Sequence, residues 1–260
     1  MTERVTGRGN PLMKHIRALG RSADARRLSG EFAADGMTLL DEAVKAGIPV
    51  NCIVTRDGQP VPILPGGTRR IAVPDPLMDW LSPMQTPPGV MFTAAAPDLS
   101  LPGKPLPPGR YIILDRLQDP GNIGTIIRSA RAFGADAVLM CDGCADPYNP
   151  KAVRASMGAL FHVRVFRGTD AAIRDALGQV PVYAAVPEAG AVNLSVAALN
   201  PSAVVIGQEG SGVSGFWRSQ GQALAIPMAP GCESLNAAMA AAVILWEGYC
   251  RGSFRRSADT

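Results

Sequence analysis

The chain has 260 residues, a hydrophobic fraction of 47%, a charged fraction of 18% and a formal net charge of +3. This length predicts one or two globular domains that each bury a core, and the composition excludes a disordered chain. The longest nearly apolar run, residues 237–246, is about half as long as a helix that crosses a bilayer. The N-terminus lacks the apolar stretch and cleavage site of a secretion signal. We therefore expect no membrane segment and a cytoplasmic location.

Positive charge is concentrated at the two ends of the chain. Before residue 30, only Glu3 and Asp24 are acidic, whereas the basic residues are Arg4, Arg8, Lys14, Arg17, Arg21, Arg26 and Arg27. A second basic cluster contains Arg251, Arg255 and Arg256. Clustered Lys and Arg can neutralise the phosphates of a nucleic acid. On charge alone, a solvated basic face explains the pattern equally well.

The five cysteines are odd in number and scattered, unlike a disulfide framework. Cys141 and Cys144 form a CxxC pair, but no second pair or nearby histidine pair completes a zinc site. His15 and His162 are far apart in the sequence. We therefore expect free thiols and no metal.

The first part of the chain predicts a small α/β domain over residues 1–96. Helices are predicted near 11–19, 37–46 and 76–81, and strands near 50–55, 70–73 and 90–94. Residues 97–109 are dense in proline and glycine, which suits neither a helix nor a central strand. This segment predicts a semi-rigid linker.

Residues 110–260 predict a second α/β domain in which short apolar strands alternate with helices. The strands are predicted near 111–114, 137–140, 163–166, 182–185, 204–206 and 223–226. Apolar strands separated by helices indicate a parallel sheet that is covered on both faces. Ligands of such sheets bind beyond the carboxyl ends of the strands. We therefore expect the functional residues in the segments that follow the strands.

Three segments with polar or glycine residues follow predicted strands. In LDRLQDPGNIGTIIRSARAF, residues 114–133, a helix is expected to begin near Asn122, which could be its cap. In VVIGQEGSGVSG, residues 204–215, glycines would let a ligand approach the backbone closely, and Glu209 lies among them. In LAIPMAPGCESLNAAMAAAVILWEGY, residues 224–249, Ser234 is the expected N-cap of a long helix. That helix is apolar nearly all round from residue 237 to 246, which predicts burial or an interface.

Together, these segments resemble the SpoU family, also called the TrmH family, of the SPOUT superfamily, over about residues 110–251. The family pattern is DPxNxGxxxR, then GxEGxG, then IPM followed by SLN. The matching residues are Asp119, Pro120, Asn122, Gly124 and Arg128; Gly207, Glu209, Gly210 and Gly212; and Ile226, Pro227, Met228, Ser234, Leu235 and Asn236. The segments NPLMKHIRALG and ADGMTLLDEAVKAG resemble the RNA-binding domain, similar to ribosomal protein L30e, that precedes many of these enzymes.

The resemblance implies an α/β fold whose C-terminal parallel-sheet domain is knotted as a deep trefoil. It implies S-adenosylmethionine as cofactor, RNA as partner, and a homodimer whose active site draws on both subunits. The implied cofactor-binding residues are Ala185, Gly207, Glu209, Gly210, Ile226, Met228, Ser234 and Leu235. The implied catalytic residues are Asn122, Arg128, Glu209, Ser234 and Asn236.

Roles for the catalytic residues also follow from the resemblance. Asn122, Ser234 and Asn236 would position the ribose and the cofactor carboxylate, while Glu209 would orient Arg128 or accept a hydrogen bond from the substrate. For Arg128 we favour a cationic clamp over a base, because a guanidinium with a pKa above about 12 rarely loses its proton.

The predicted function is S-adenosylmethionine-dependent methylation of a ribose 2′-hydroxyl in structured RNA, with ribosomal RNA favoured over transfer RNA. One alternative, a dinucleotide-dependent oxidoreductase, requires a GxGxxG after its first strand, and residues 117–123 do not supply one. Another alternative is a non-catalytic RNA-binding protein of the same fold. Such a protein would be expected to lack Arg128, Glu209 or Asn236.

Overall fold

The computed structural model describes residues 2–60, 64 and 67–258, and the chain divides into two compact units. The first unit contains the described residues up to Pro97 together with Asp146–His162. The second contains Asp98–Ala145 and the described residues from Val163 onward. Within these described parts, no helix combines the length and apolar composition that crossing a membrane would require.

The first unit is built on a five-stranded mixed sheet. Its elements up to Pro97 are β1 (Glu3–Arg4), α1 (Pro11–Arg21), α2 (Ala23–Ser29), β2 (Glu31–Asp35), α3 (Met37–Lys45), β3 (Val50–Arg56), β4 (Arg69–Val73), α4 (Asp75–Leu81) and β5 (Val90–Ala95). The strand order is β1-β4-β3-β5-β2, and β5 is antiparallel to both of its neighbours. Asn10 is the N-cap of α1, and its side chain accepts hydrogen bonds from the backbone of Leu12 and Met13.

The rest of the chain alternates strands and helices. Its elements are β6 (Arg110–Asp115), α5 (Pro120–Ala132), β7 (Ala137–Cys141), α6 (Pro150–Ser156), a 3₁₀ helix (Ala159–Phe161), β8 (Val165–Gly168), α7 (Asp170–Leu177), β9 (Val182–Ala185), β10 (Val192–Asn193), β11 (Ser202–Gly207), α8 (Gly215–Gln220), β12 (Gln222–Ala225) and α9 (Ala237–Ala258).

The second unit contains a seven-stranded sheet in the order β10-β12-β9-β11-β6-β7-β8, and every pairing in it is parallel. The α/β class and the parallel sheet predicted from the sequence are therefore confirmed. All residues of β7 are buried, as expected for a strand covered on both faces. The carboxyl ends of β12, β9, β11 and β6 lie side by side. The trefoil knot stays a prediction.

The segment Asp146–His162, which contains α6, belongs to the first unit rather than to the domain predicted over residues 110–260. Phe32 on β2 stacks on Tyr148 and Phe161, with ring centroids 5.4 and 5.7 Å apart. Buried Arg26 donates to Asp146 Oδ2 at 2.6 Å. These contacts join residues more than a hundred positions apart, which no local sequence pattern reveals.

The proline-rich segment predicted to be a linker belongs to the second unit from Asp98 onward. Leu106 is buried, and its backbone N–H donates to the Ala176 carbonyl at 2.7 Å. Ser100 forms a parallel bridge with Arg167. Proline removes backbone donors but leaves the residues between prolines free to bond, so this segment is ordered by its neighbours.

We expect Phe32→Ala to lower the free energy of unfolding of the first unit by about 3–5 kcal/mol, since it empties a fully buried aromatic site. Amide exchange across residues 146–162 should also become faster, because two of the lost ring contacts come from that segment. Urea unfolding and hydrogen–deuterium exchange measure both effects. Leu28→Ala, at a side chain that is 82% exposed, is the control and should change stability by less than about 0.5 kcal/mol. Equal effects of the two substitutions would contradict the described packing.

Candidate active site

A pocket of about 310 Å³ lies at the carboxyl ends of β12, β9 and β11. Most of its lining is apolar, and its size suits a small organic ligand. The lining residues are Ala185, Val186, Pro187, Ile206, Gly207, Gln208, Glu209, Gly212, Leu224, Ile226, Met228, Ser234, Leu235, Asn236, Ala237 and Ala240. The pocket therefore forms where two of the three polar segments of the sequence meet.

The loop after β11 turns back on its own strand at Gly207. A Cβ atom at Gly207 would lie 2.2 Å from the backbone carbon of Gly212 and 2.3 Å from the backbone nitrogen of Val213. The Gly212 N–H donates to the Gln208 carbonyl at 2.8 Å and closes the loop. Glycine is required at residue 207 because backbone, which cannot rotate away, occupies the space of a side chain.

Asp115, at the end of β6, holds the far end of the same loop. Its side chain is buried, and Oδ2 accepts a hydrogen bond from the backbone N–H of Ser214 at 2.6 Å. Arg116 forms an ion pair with the other carboxylate oxygen. The glycine loop is thus anchored to a neighbouring strand and not only to β11.

Asn236 caps the long helix α9. Its Oδ1 accepts hydrogen bonds from the backbone of Ala238 and Met239 at 2.9 and 3.4 Å. The helix therefore begins at Ala237, and the prediction of Ser234 as N-cap was wrong. Ser and Asn are both good caps, and the structure uses the one nearer the apolar run. Because the cap occupies Oδ1, only the NH₂ group of Asn236 is left to face the site.

Asn122 lies between Asn236 and Glu209. Asn236 Nδ2 donates to Asn122 Oδ1 at 3.3 Å, and Asn122 Nδ2 donates to Glu209 Oε1. The cap of α5 is Asp119, whose side chain accepts from Gly121 N at 3.0 Å. Asn122 is therefore not a cap, and its side chain is free to join the other two segments. The three side chains form one directed chain of hydrogen bonds, which we call the amide–carboxylate chain.

Arg128 lies outside this arrangement. It is six residues after Asn122 on α5, which places the two side chains about 120° apart around the helix. Arg128 is exposed, does not line the pocket, and forms no hydrogen bond or ion pair with any residue that the structure describes. Glu209 bonds to Asn122, so the predicted orientation of Arg128 by Glu209 does not occur within this chain.

Comparison with known proteins identifies the family. The SpoU rRNA Methylase family model matches residues 109–246. The chain belongs to this family. It is 33% identical over 275 residues to a 23S rRNA (uridine(2479)-2′-O)-methyltransferase from Streptomyces viridochromogenes, covering 99% of this chain and 95% of that protein. It is 31% identical over 225 residues to the Bacillus subtilis 23S rRNA (guanosine(2553)-2′-O)-methyltransferase RlmP, covering 85% and 89%.

Solved structures of methyltransferases share the fold of most of the chain. The SpoU methyltransferase AviRb from Streptomyces viridochromogenes, in complex with AdoMet, superposes with a TM-score of 0.83 at 30% identity, over 93% of this chain and 98% of that one. An AdoMet-bound rRNA methyltransferase from Sinorhizobium meliloti gives a TM-score of 0.83 at 28% identity, over 96% and 98%.

The structure brings most of the residues predicted from the SpoU resemblance into or beside the pocket. Every predicted cofactor-binding residue except Gly210 lines it. Of the predicted catalytic residues, Glu209, Ser234 and Asn236 line the pocket and Asn122 bonds to two side chains there, whereas Arg128 does not reach it.

Sequence reasoning missed several residues of the site. Pro187, Gln208 and Leu224 line the pocket, and Asp115 anchors its loop. The one available signal for Asp115 was a carboxylate directly after an apolar strand, at the sheet edge where ligands bind.

Cys141 and Cys144 each form a hydrogen bond within the protein. The Cys144 thiol donates to the Leu114 carbonyl, and burial raises its pKa to about 11. Burial likewise raises the pKa of the Cys141 thiol, whose sulfur accepts a hydrogen bond from Trp217 Nε1 at 3.2 Å. Both thiols are therefore protonated at neutral pH and unsuited to redox exchange.

Among the described residues, the side chains of Asp115, Cys141 and Asp170 lie close enough to hold a metal ion in principle. Arg116 bonds to both carboxylates, and Trp217 donates to Cys141 and to Asp170. The charges and polar atoms of this cluster are thus satisfied by the protein itself.

We expect Gly207→Ala to push the loop after β11 away from its strand and to break the Gly212–Gln208 hydrogen bond. Hydrogen–deuterium exchange should then be faster across residues 208–213. Gly215→Ala is the matched control, because an added Cβ there meets no atom within 4 Å. Unchanged exchange in the Gly207 variant would show that the backbone contacts at residue 207 do not hold the loop.

Proposed function

We propose that this protein is an S-adenosylmethionine-dependent methyltransferase that modifies a ribose 2′-hydroxyl in ribosomal RNA. Membership of the SpoU family supports this proposal, as do the 23S rRNA 2′-O-methyltransferases among its relatives. The observation that carries the proposal is the amide–carboxylate chain beside a pocket built from the glycine loop. It brings polar groups from three distant segments to one place, next to a cavity that suits a small ligand.

The residues of the pocket fit S-adenosylmethionine. Gly207 lines the pocket, and Leu224, Ile226 and Ala240 offer apolar surface to a nucleoside. We assign the backbone at Gly207, Ile226 and Leu235 to the nucleoside. Ser234 is assigned to the amino-acid carboxylate, because this residue lines the pocket and its hydroxyl forms no hydrogen bond with a described residue.

When bound, S-adenosylmethionine supplies a methyl group activated by a positively charged sulfur. The protein must align a ribose hydroxyl with that group and stabilise the hydroxyl as it loses its proton. Glu209 Oε1 is occupied by Asn122, whereas Oε2 has no hydrogen-bond partner among the described residues. We assign Oε2 to accept the hydrogen bond of the ribose hydroxyl. Asn122 and Asn236 keep this carboxylate in a fixed orientation.

We further propose that the protein is a homodimer. Met239, Val243 and Trp246 of α9 are 58%, 37% and 52% exposed, and their spacing places them along one side of the helix. The Trp246 ring contacts Phe133 and Tyr249, which extends this apolar surface. A second copy of the chain would remove it from water, as expected for a permanent interface.

A dimer also gives Arg128 a role. Arg128 is on α5, which packs against α9, and it does not reach the pocket of its own chain. Because the active site would draw on both subunits, Arg128 can act at the site of the second copy. We propose that it holds the RNA beside the transferred methyl group by its positive charge.

Arg128→Ala should lower kcat for methyl transfer by about 100-fold or more, the size of effect seen when one charge-stabilising group is removed. Arg128→Lys should keep part of the activity if a positive charge is what the step needs. Single-turnover transfer of a labelled methyl group measures both, and calorimetry should show unchanged affinity for S-adenosylmethionine. Arg131→Ala, which removes the same charge from the next turn of α5, is the control. A Lys variant as inactive as the Ala variant would count against a simple point-charge role.

The function itself is tested by mapping 2′-O-methyl positions in cellular RNA with and without the protein. We expect loss of the protein to remove a methyl group from a ribosomal RNA position, and wild-type protein to restore it. Glu209→Gln keeps the hydrogen bond from Asn122 but removes the charge, so it should fail to restore the modification. A change confined to transfer RNA would support the transfer RNA alternative. An unchanged map, with the protein expressed, would refute the proposed function.

A further inference from the structure

A cluster of unpaired positive charges lies on one face of the first unit. Lys14, Arg17 and Arg21 are spaced three and four residues apart on α1 and therefore share one side of that helix. Arg8 precedes the helix, and the positive charges of Arg8 and Arg21 both act on Arg17. We call these four residues the α1 basic face. None of them forms a hydrogen bond or ion pair with a residue that the structure describes.

Other basic residues near the α1 basic face form ion pairs with carboxylates, which neutralise their charge. Arg4 pairs with Asp57 at 2.7 Å, and Arg27 pairs with Asp24 at 2.9 Å. Arg26 is buried against Asp146. The sequence suggested a basic N-terminal segment, and the structure shows that its unneutralised charge is concentrated on α1.

Trp80 of α4 provides a flat surface for this charge. The guanidinium carbon of Arg17 lies 4.1 Å from the centre of the Trp80 ring system, and that of Arg8 lies 5.7 Å from it. Both are within the range of a cation–π interaction. The acidic neighbour Asp79 pairs with Arg56 at 2.7 Å and so is not directed at Arg17.

The surroundings of Arg17 disfavour the charged form of its side chain. Partial burial lowers the pKa of its guanidinium, and the nearby charges of Arg21 and Arg8 lower it further. Its Nε atom is buried without a hydrogen-bond partner among the described residues. A polyanion bound at this face would relieve the repulsion between these like charges.

We propose that the α1 basic face, with Trp80, binds the phosphodiester backbone of the substrate RNA; this rests on the proposed function. From Lys14 to Arg21 the cations extend about 10 Å along the helix axis, enough to contact more than one phosphate. Such contacts supply affinity and fix the position of the RNA, but they do not read its sequence. Because Trp80 already orders Arg17, this side chain loses less conformational freedom on binding.

The test compares two variants that remove the same charge. The first is Arg8→Gln, Lys14→Gln and Arg21→Gln combined, which leaves Arg17 on Trp80 and changes only exposed side chains. The control is Arg4→Gln, Arg27→Gln and Arg69→Gln combined, at exposed arginines of the same unit that each pair with a carboxylate. The probe is deproteinised large-subunit ribosomal RNA from cells that lack this protein.

Binding is measured for the full-length proteins over a series of salt concentrations. For the first variant we expect Kd to rise about tenfold or more at low salt. The slope of log Kd against log salt should fall by about 2–3, since each lost phosphate contact removes roughly 0.7–0.9. The control variant should retain the wild-type slope, and both should bind S-adenosylmethionine as the wild type does.

The outcomes separate this proposal from the proposed function. If the wild type methylates RNA and the first variant binds RNA with unchanged Kd and slope, the RNA-binding face is overturned and the methyltransferase assignment stands. If the wild type transfers no methyl group but the first variant still loses affinity and slope relative to the control, the assignment fails and the face is supported. Equal losses in both triple variants would show that total charge matters and would overturn the proposed face.

Discussion

The amide–carboxylate chain has a direction, and the helix cap at Asn236 sets it. Two backbone N–H groups of α9 occupy Oδ1 of Asn236, so its NH₂ group must point at Asn122. Asn122 then accepts through its oxygen and must donate through its nitrogen to Glu209. A cap that usually only stabilises a helix end therefore also orients a carboxylate two side chains away. The bonds join positions 114 and 87 residues apart in the sequence.

The parallel sheet makes this convergence possible. Because all seven strands run the same way, the segments after β6, β11 and β12 emerge at one edge of the sheet. The glycine loop then has to fold tightly enough to leave a pocket, which requires the bare backbone of Gly207. Asp115 ties the loop to β6 through Ser214 and limits its movement. The same sheet thus positions the polar groups and builds the cavity beside them.

The sequence predicted the parts of this structure that have a local signal. The six predicted strands of the second unit were apolar runs between helical patterns, and each corresponds to an observed strand. The two-residue strand β10 is too short to have a pattern. β2, with the sequence EFAAD, has no β-branched residue and was missed, although four of its five residues are buried. Its burial depends on tertiary packing, which propensity does not describe.

The sequence predicted which residues belong to the candidate site but not how their side chains are arranged. Motif spacing selected Asn122, Glu209 and Asn236, and the structure joins them by hydrogen bonds. Spacing could not show that Asn236 rather than Ser234 caps α9, because either residue type can do so. Nor could it show that Arg128 leaves its own pocket, since a motif gives order along the chain and not direction around a helix. Both findings concern where a side chain points.

The proposed chemistry and the proposed RNA-binding face depend on different physical interactions. In the proposed chemistry, Glu209 and its partners act through direct hydrogen bonds beside a pocket, where geometry decides the outcome and added salt has little effect. The α1 basic face acts through unpaired charges at the surface, and salt weakens such contacts strongly. A protein built this way can hold a long polyanion by charge while it selects one hydroxyl by alignment. Raising the salt concentration should therefore weaken RNA binding well before it alters the methyl-transfer step on RNA that is already bound.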